Sequence, residues 1–428
     1  MRIRVNFNEI SGEIKPVNGV NNGPLCFGET IDLSDRFREA KFPYSRLHDP
    51  NWPHPYEVDI HTIFPDFTKD PSRPESYQFQ RTDEYISSIK QTGADIIYRL
   101  GESIEHSRTK YFVYPPEDNE KWAQICLGII RHLNDGWADG YHFGIRYWEI
   151  WNEPDNPSKG CMWNGTDQQY FDLYATAAVG IKTYDSTLKV GGYGATMVND
   201  PFLMEFLAQC RDRQLPLDFF SWHTYTQEPS SIVSNARKVK KVLNEFGYSR
   251  AESHLNEWNY APIEAGVDAS DAAKTRRQVF EAMHGAKGMS FDAAVMIALL
   301  DEAVDVANFY DVAASSIWGM FDPYGVPYKS FWAFKAFAAL RGGLRVSVEK
   351  DCDDLYCAAS ILAGSRDGRV LISNPSKNNY TIALDSTGII KNGYRSDEFN
   401  DWESCPSLST SKIEIPAHSI YLLELEAV

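Results

Sequence analysis

The sequence predicts an α/β protein, a (β/α)8 barrel carrying an accessory C-terminal β-sandwich. Three observations predict it. Short apolar segments ending in polar or charged residues alternate with helix-like stretches along most of the chain. No Gly-rich phosphate turn follows an early strand, as an open doubly wound sheet would require. Beyond Arg341 helical periodicity stops, and short alternating segments separated by turn residues take over.

The predicted barrel strands begin with a segment around 19–28, followed by YSRLHD (44–49), DIIYRLGES (95–103) and IRYWEIWNEPD (145–155). KVGGYGA (189–195), LDFFSWHTYT (217–226), ESHLNEWNY (252–260) and AAVMIALLDEA (293–303) complete the set. Between them, RTDEYISSIKQTG (81–93) places Tyr85, Ile86 and Ile89 on one side and ends at Gly93, a helix terminator. EKWAQICLGIIRHLNDG (120–136) and DQQYFDLYATAAVGIKTY (167–184) also repeat apolar residues at helical spacing. In the tail, strands are expected at 354–364, 368–376, 380–386 and 419–426. RIRVNF (2–7) alternates like a half-buried strand and is expected to pair with that tail. The domain reading is therefore 1–14 joining the sandwich, 15–342 as barrel and 343–428 as sandwich.

Composition narrows the function. At 428 residues the chain is too long for one ordinary core. With 43% hydrophobic and 24% charged residues it reads as soluble and globular. A formal net charge of −17 argues against nucleic acid and anionic membranes as partners, since both are polyanions. Eleven Trp and 23 Tyr supply rings on which sugar faces stack, although most such rings serve as core. The seven Cys are scattered without metal-type spacing, and no HExxH motif occurs, so neither metal nor cofactor is expected. The N-terminus lacks an apolar leader; with the reduced thiols this gives a cytoplasmic expectation. A homo-oligomer is compatible with the sequence.

Active sites on such barrels gather at the C-terminal strand ends, and two carboxylates stand out there. Glu153 in WEIWNEPD (148–155) lies where Pro154 stops the fourth strand. Trp148 and Trp151 are expected to crowd it and raise its pKa, as a general acid requires. Glu257 in HLNEWNY (254–260) ends the seventh strand, 104 residues later, a separation that fits three βα units. A carboxyl pair of this kind suits glycoside chemistry: one group protonates the leaving oxygen while the other attacks or stabilises the oxocarbenium-like centre. Glu149 shares the parity of Glu153 but lies deeper, as a structural carboxylate needing Arg99 or Arg46.

WEIWNEPDN (148–156), with EWN (257–259) three units later and WHTY (222–225) between, resembles the signature of glycoside hydrolase family 39, in clan A. The resemblance covers roughly residues 15–340 and implies a retaining, exo-acting, xylosidase-like enzyme. A neutral sugar is expected from charge: the loop residues around the site include Asp49, Glu102, Asp301 and Glu302, no Lys lies at these strand ends, and Arg46 and Arg99 are expected to pair with internal carboxylates. An endo-acting polysaccharide hydrolase and a catalytically silent carbohydrate-binding protein are the alternatives. It implies Glu153 as acid/base, Glu257 as nucleophile and Asn152 as ligand of the sugar 2-hydroxyl. Tyr225 resembles the tyrosine bonded to the nucleophile, and His223 a substrate-binding histidine. Arg46 resembles the arginine beside the nucleophile, with pairing to Glu149 the competing role. His48 resembles a histidine lining the subsite of the cleaved sugar. Trp258, Glu102 and Glu302 complete the expected substrate-contacting set. GESIEH (101–106) and LLDEA (299–303), read as the ends of strands three and eight, depart from the xylosidase pattern.

Overall fold

The computed structural model describes residues 1–50, 56–158, 160–198, 200–261, 272–314, 317–406, 408 and 412–428. Eight parallel strands close into a barrel. They are β1 (Gly19–Asn21), β2 (Tyr44–Leu47), β3 (Asp95–Leu100), β4 (Tyr147–Ile150), β5 (Lys189–Ala195), β6 (Phe219–Thr226), β7 (Glu252–Tyr260) and β8 (Val306–Phe309). Each pairs in parallel with its neighbours in chain order, and β8 closes on β1 through Asn308↔Gly19 and Phe309↔Val20.

The amphipathic segments form the expected helices, Gln80–Gln91, Asn119–Asp135 and Asp167–Tyr184. Their ends follow local chemistry. Asp118 accepts the Lys121 amide at one N-terminus, and Thr166 with Gln169 forms a reciprocal capping box at another.

One element differs. The segment 293–303 is not a strand: Ala286–Leu299 is a helix, and β8 is the four-residue VANF that follows. The helix is buried nearly all round because it is sandwiched between the barrel and the C-terminal sheet, touching β7 on one side and the strands Tyr356–Leu362, Asp367–Asn374 and Ser419–Ala427 on the other. A helix without a solvent face carries no 3.6-residue polar period, so its apolar run mimics a buried strand.

The C-terminal strands form one curled nine-stranded mixed sheet. Arg2–Glu13 lies inside it, antiparallel to Gly343–Lys350 and parallel to Tyr380–Ser386. Register shifts along Arg2–Glu13, between Asn6 and Gly12, interrupt its pairing with Gly343–Lys350. The curl encloses its own core of Ile3, Val5, Phe7, Ile372, Leu384 and Leu423, while Ala358, Leu371, Ile420 and Leu422 on the other face join the barrel core. Among the described residues, no helix is long and apolar enough to cross a membrane, and none of the seven cysteines is in a disulfide.

Candidate active site

At the C-terminal mouth of the barrel, side chains from β1, β4, the turn after β4 and β7 converge on one buried arginine of β2. Arg46 is fully buried and donates to four residues: Nε to Glu149 Oε2 at 2.7 Å, Nη1 to Glu257 Oε1 at 2.8 Å and to Asn21 Oδ1 at 3.1 Å, and Nη2 to Asn152 Oδ1. The two roles weighed for Arg46 are thus filled at once. Glu149 takes its second bond from Asn256 Nδ2. Asn21 in turn donates to the Asn256 carbonyl at 2.8 Å.

β7 owes its reach to a bulge. Its register against both β6 and β8 slips between Leu255 and Trp258, so consecutive Asn256 and Glu257 both contact the central network. Glu257 is 5% exposed; Oε1 faces Arg46 and Oε2 accepts from Tyr225 Oη at 2.7 Å. The alternation resumes after the bulge and turns Trp258 outward. Its ring is wholly buried against Phe309, Phe291 and Phe334 in the barrel–helix layer, so it cannot meet a ligand at the mouth.

Glu153 follows β4 with φ 45°, and Trp151 has φ 70°, conformations that few non-glycine residues adopt. Tertiary bonds hold them there: Trp151 N to the Leu100 carbonyl at 2.7 Å and Glu153 N to the Tyr193 carbonyl at 2.9 Å. Trp148 and Trp151 do not wrap the Glu153 carboxyl. Their indoles donate to the Ile145 and Met162 carbonyls, and their rings stack on Tyr98 and pack on Trp122 and Trp163. The carboxyl instead meets His223 Nδ1 at 2.7 Å and Asn156 Nδ2 at 2.5 Å.

His223 stands between the two carboxylates, with the same Nδ1 3.4 Å from Glu257 Oε2. Burial pulls its pKa down, but the charges of Glu257 and Glu153 outweigh this and raise it above the ordinary histidine value. His48 behaves oppositely: burial, then Arg99 and Arg46, hold it well below that value, so it is neutral at pH 7. Since Asn152 gives its oxygen to Arg46, its amide NH2 faces His48 Nε2 at 3.1 Å, and Asp49 Oδ2 lies 3.3 Å from the same nitrogen. His48 Nδ1, His223 Nε2 and Asp311 Oδ1 are buried without a protein partner. Gly194, at φ 66°, leaves room here: a Cβ would fall 2.8 Å from Asn152 Oδ1 and 3.0 Å from His223 Nε2.

Two expected members lie elsewhere. Glu302 belongs to the turn that enters β8, at the opposite end of the barrel, because the preceding segment is helix. It forks with Arg237, Nη2–Oε1 2.6 Å, and its carbonyl holds Lys15. Neighbouring Asp301 pairs with Arg345 at 2.6 Å. Glu102 does end β3 at the mouth side, but its carboxyl meets His61 Nδ1 at 2.5 Å and the His61 amide at 3.2 Å. Arg99 pairs with Asp59 through Nη2 at 2.7 Å, with Nε and Nη1 buried and without a protein partner among the described residues.

Asn21, Asn256 and Asp311 are the members that were not singled out from sequence. Asn21 and Asn256 orient the arginine and Glu149. Asp49 follows β2 and accepts from the Ile104 amide, while Asp311 follows β8 and accepts from Asn22; burial pushes both carboxyls up to about 7. Asp311 was hidden by the misplaced eighth strand; Tyr310–Asp311 directly after VANF is the signal that a correct placement exposes. The loop beyond also brings Trp318 against Tyr225, ring centroids 5.2 Å apart.

Two trios could each touch one cation, Glu153–His223–Glu257 and Asp59–His61–Glu102. Their atoms already satisfy one another or neighbouring groups; Asp59 accepts from Arg99 and Ser103. In the first trio a Glu153 oxygen and a Glu257 oxygen lie within 4.8 Å of each other.

Known proteins resemble the chain in sequence and in fold. It is 27% identical over 340 residues to a β-xylosidase of Caldicellulosiruptor saccharolyticus, and 27% over 258 residues to a β-xylosidase of Geobacillus stearothermophilus. The matches span 70% and 53% of this chain but only 64% and 48% of those relatives' own lengths. In fold it resembles a glucosidase from Croceicoccus marinus, with TM-score 0.83 and 23% identity, covering 100% of this chain and 99% of the other. Residues 39–387, most of the barrel and the start of the C-terminal sheet, match the family model of glycosyl hydrolases family 39, and the chain belongs to that family.

Proposed function

We propose that the chain is a retaining, exo-acting glycosidase that removes a neutral sugar, xylose first, with Glu257 as nucleophile and Glu153 as acid/base. The observation that carries this reading is the carboxylate pair. One oxygen of each lies within 4.8 Å of the other, which supports the roughly 5–5.5 Å carboxyl spacing of retaining enzymes over the roughly 6.5–9.5 Å of inverting ones.

In the first step Glu257 Oε attacks the anomeric carbon while Glu153 passes its proton to the departing glycosidic oxygen. The C–O bond breaks, the alcohol leaves, and a glycosyl ester of Glu257 remains. In the second step Glu153, now a carboxylate, takes a proton from water. The water oxygen attacks the anomeric carbon, and Glu257 departs as carboxylate. Arg46 and Tyr225 aim the Glu257 carboxyl by occupying one oxygen each. His223 and Asn156 fix the Glu153 carboxyl.

Neutrality follows from charge. A uronate needs a free cationic fork. Arg46 spends its donors on four neighbours and Arg99 is fully buried beside Asp59, while Asp49 and Asp311 add carboxyls near the mouth. The curated β-xylosidases support xylose as the first sugar.

The test is a panel of aryl glycosides with the first-formed anomer read by NMR and a mechanism-based fluorosugar for labelling. Retention, label on Glu257 and preference for a xyloside are expected. Inversion, or label on another carboxylate, would refute the assignment. A uronide preferred tenfold or more, worth about 1.4 kcal/mol, would refute the charge argument.

A further inference from the structure

The loop that leaves β3 builds a second cavity outside the catalytic centre. It encloses about 520 Å3, within the roughly 300–1,000 Å3 typical of small-ligand sites. Tyr111, Phe112 and Tyr114 stand on its wall, 67%, 40% and 48% exposed. Exposed rings grouped at one cavity mark a binding surface far more than rings scattered singly. Glu102 and His61 lie on its lining, and so does the Trp151 ring, two residues before Glu153.

The loop is braced to display these rings. The Glu105 carboxylate accepts the amides of Tyr111 and Phe112, the Glu105 amide donates to the Cys161 carbonyl, and the Asn164 amide donates to the Val113 carbonyl. Phe112 stacks flat on His61, centroids 3.5 Å apart and 3° from parallel, so ring and imidazole make one platform. Beside that platform the Glu102–His61 pair offers a carboxyl acceptor and an imidazole. The remaining charges are Glu117, Asp118 and Lys121, an acidic balance that disfavours an anionic ligand. Flat apolar platforms next to a carboxyl match a sugar unit, which presents an apolar ring face and a polar hydroxyl edge.

We propose that this cavity is a second carbohydrate site, which holds a non-reacting neutral sugar unit of an oligosaccharide with its face on Tyr111 and Phe112 and its hydroxyls on Glu102 and His61. The inference rests on the glycosidase reading for its ligand class but not on the catalytic assignment. It makes oligosaccharides, and not only simple glycosides, ligands of the chain.

The experiment uses the full chain carrying Glu257→Gln, so that ligands survive, titrated with xylotriose and cellotriose and followed by tryptophan fluorescence and saturation-transfer NMR. Adding Tyr111→Ala with Phe112→Ala is expected to weaken binding of at least one trisaccharide tenfold or more. Because Phe112 stacks on His61, Tyr111→Ala alone serves as the milder variant, expected to weaken binding at least threefold with an unchanged circular dichroism spectrum. In the catalytically intact chain, the ratio of kcat/KM for the trisaccharide to that for an aryl monoglycoside should fall at least tenfold in the double variant. Equal trisaccharide affinity with and without the aromatic pair would overturn the proposal, as would capture of phenol in place of either trisaccharide. Failure of every glycoside to be hydrolysed would sink the catalytic reading while the binding comparison still decides this one.

Discussion

Replacing Arg46 by methionine should both destabilise the protein and retune its proposed nucleophile. Met fills the stem volume but withdraws the cation from Glu149 and Glu257, both buried, and strands the oxygens of Asn21 and Asn152. Breaking a buried ion pair by removing one partner costs about 3–5 kcal/mol. For activity, the charged bond from Nη1 to Glu257 is worth about 1.5–3 kcal/mol. At about 1.36 kcal/mol per factor of ten, its loss should lower kcat/KM for an activated aryl glycoside by about tenfold to a hundredfold. Urea denaturation at pH 7 and steady-state kinetics on the same glycoside measure both effects. A variant as stable as wild type, or one that keeps its kcat/KM, would refute the reasoning.

Three further outcomes follow from particular contacts. Asp292 is buried in the helix Ala286–Leu299 with neither oxygen hydrogen-bonded in a sound geometry, and burial holds its pKa well above the ordinary value; its stability contribution is present at low pH and lost as pH rises. Asp292→Asn should therefore be more stable than wild type at pH 8 and gain little at pH 4, and a destabilised variant at pH 8 in a calorimetric scan would contradict this. Gly194→Ala pushes a methyl toward Asn152 and His223 from a left-handed backbone position, so kcat/KM should drop at least tenfold while the far-ultraviolet spectrum is kept; normal turnover would show that this edge of the mouth has room. Trp258→Ala should cost about 3–5 kcal/mol of stability through the cavity it leaves, and leave KM for an aryl glycoside within about twofold at low temperature; a large KM change with intact stability would return Trp258 to the ligand site.

The sequence alone determined the barrel and the carboxylate pair, because both are written in local pattern. Buried parallel strands are short apolar runs, and their helices carry one wet face, so Gln80–Gln91, Asn119–Asp135 and Asp167–Tyr184 are legible in their periodicity. Glu153 is marked by the Pro154 that ends its strand, and Glu257 by its place at the end of another. Tertiary structure decided the rest. The helix Ala286–Leu299 has no wet face because the C-terminal sheet covers it, so no local signal distinguishes it from a strand, and Glu302 followed that error to the wrong end of the barrel. Asn256 was missed because strand parity assumes a regular pleat, which would turn it away from the face that carries Glu257, and the bulge at Asn256–Glu257 breaks that pleat. The partners of Arg46 come from β1, β4 and β7 and the turn after β4, so residues far apart in the chain meet only when the barrel closes. A single sequence records which residues could satisfy a buried guanidinium; the closed barrel chooses among them, because burial leaves no water to take the place of a missing partner.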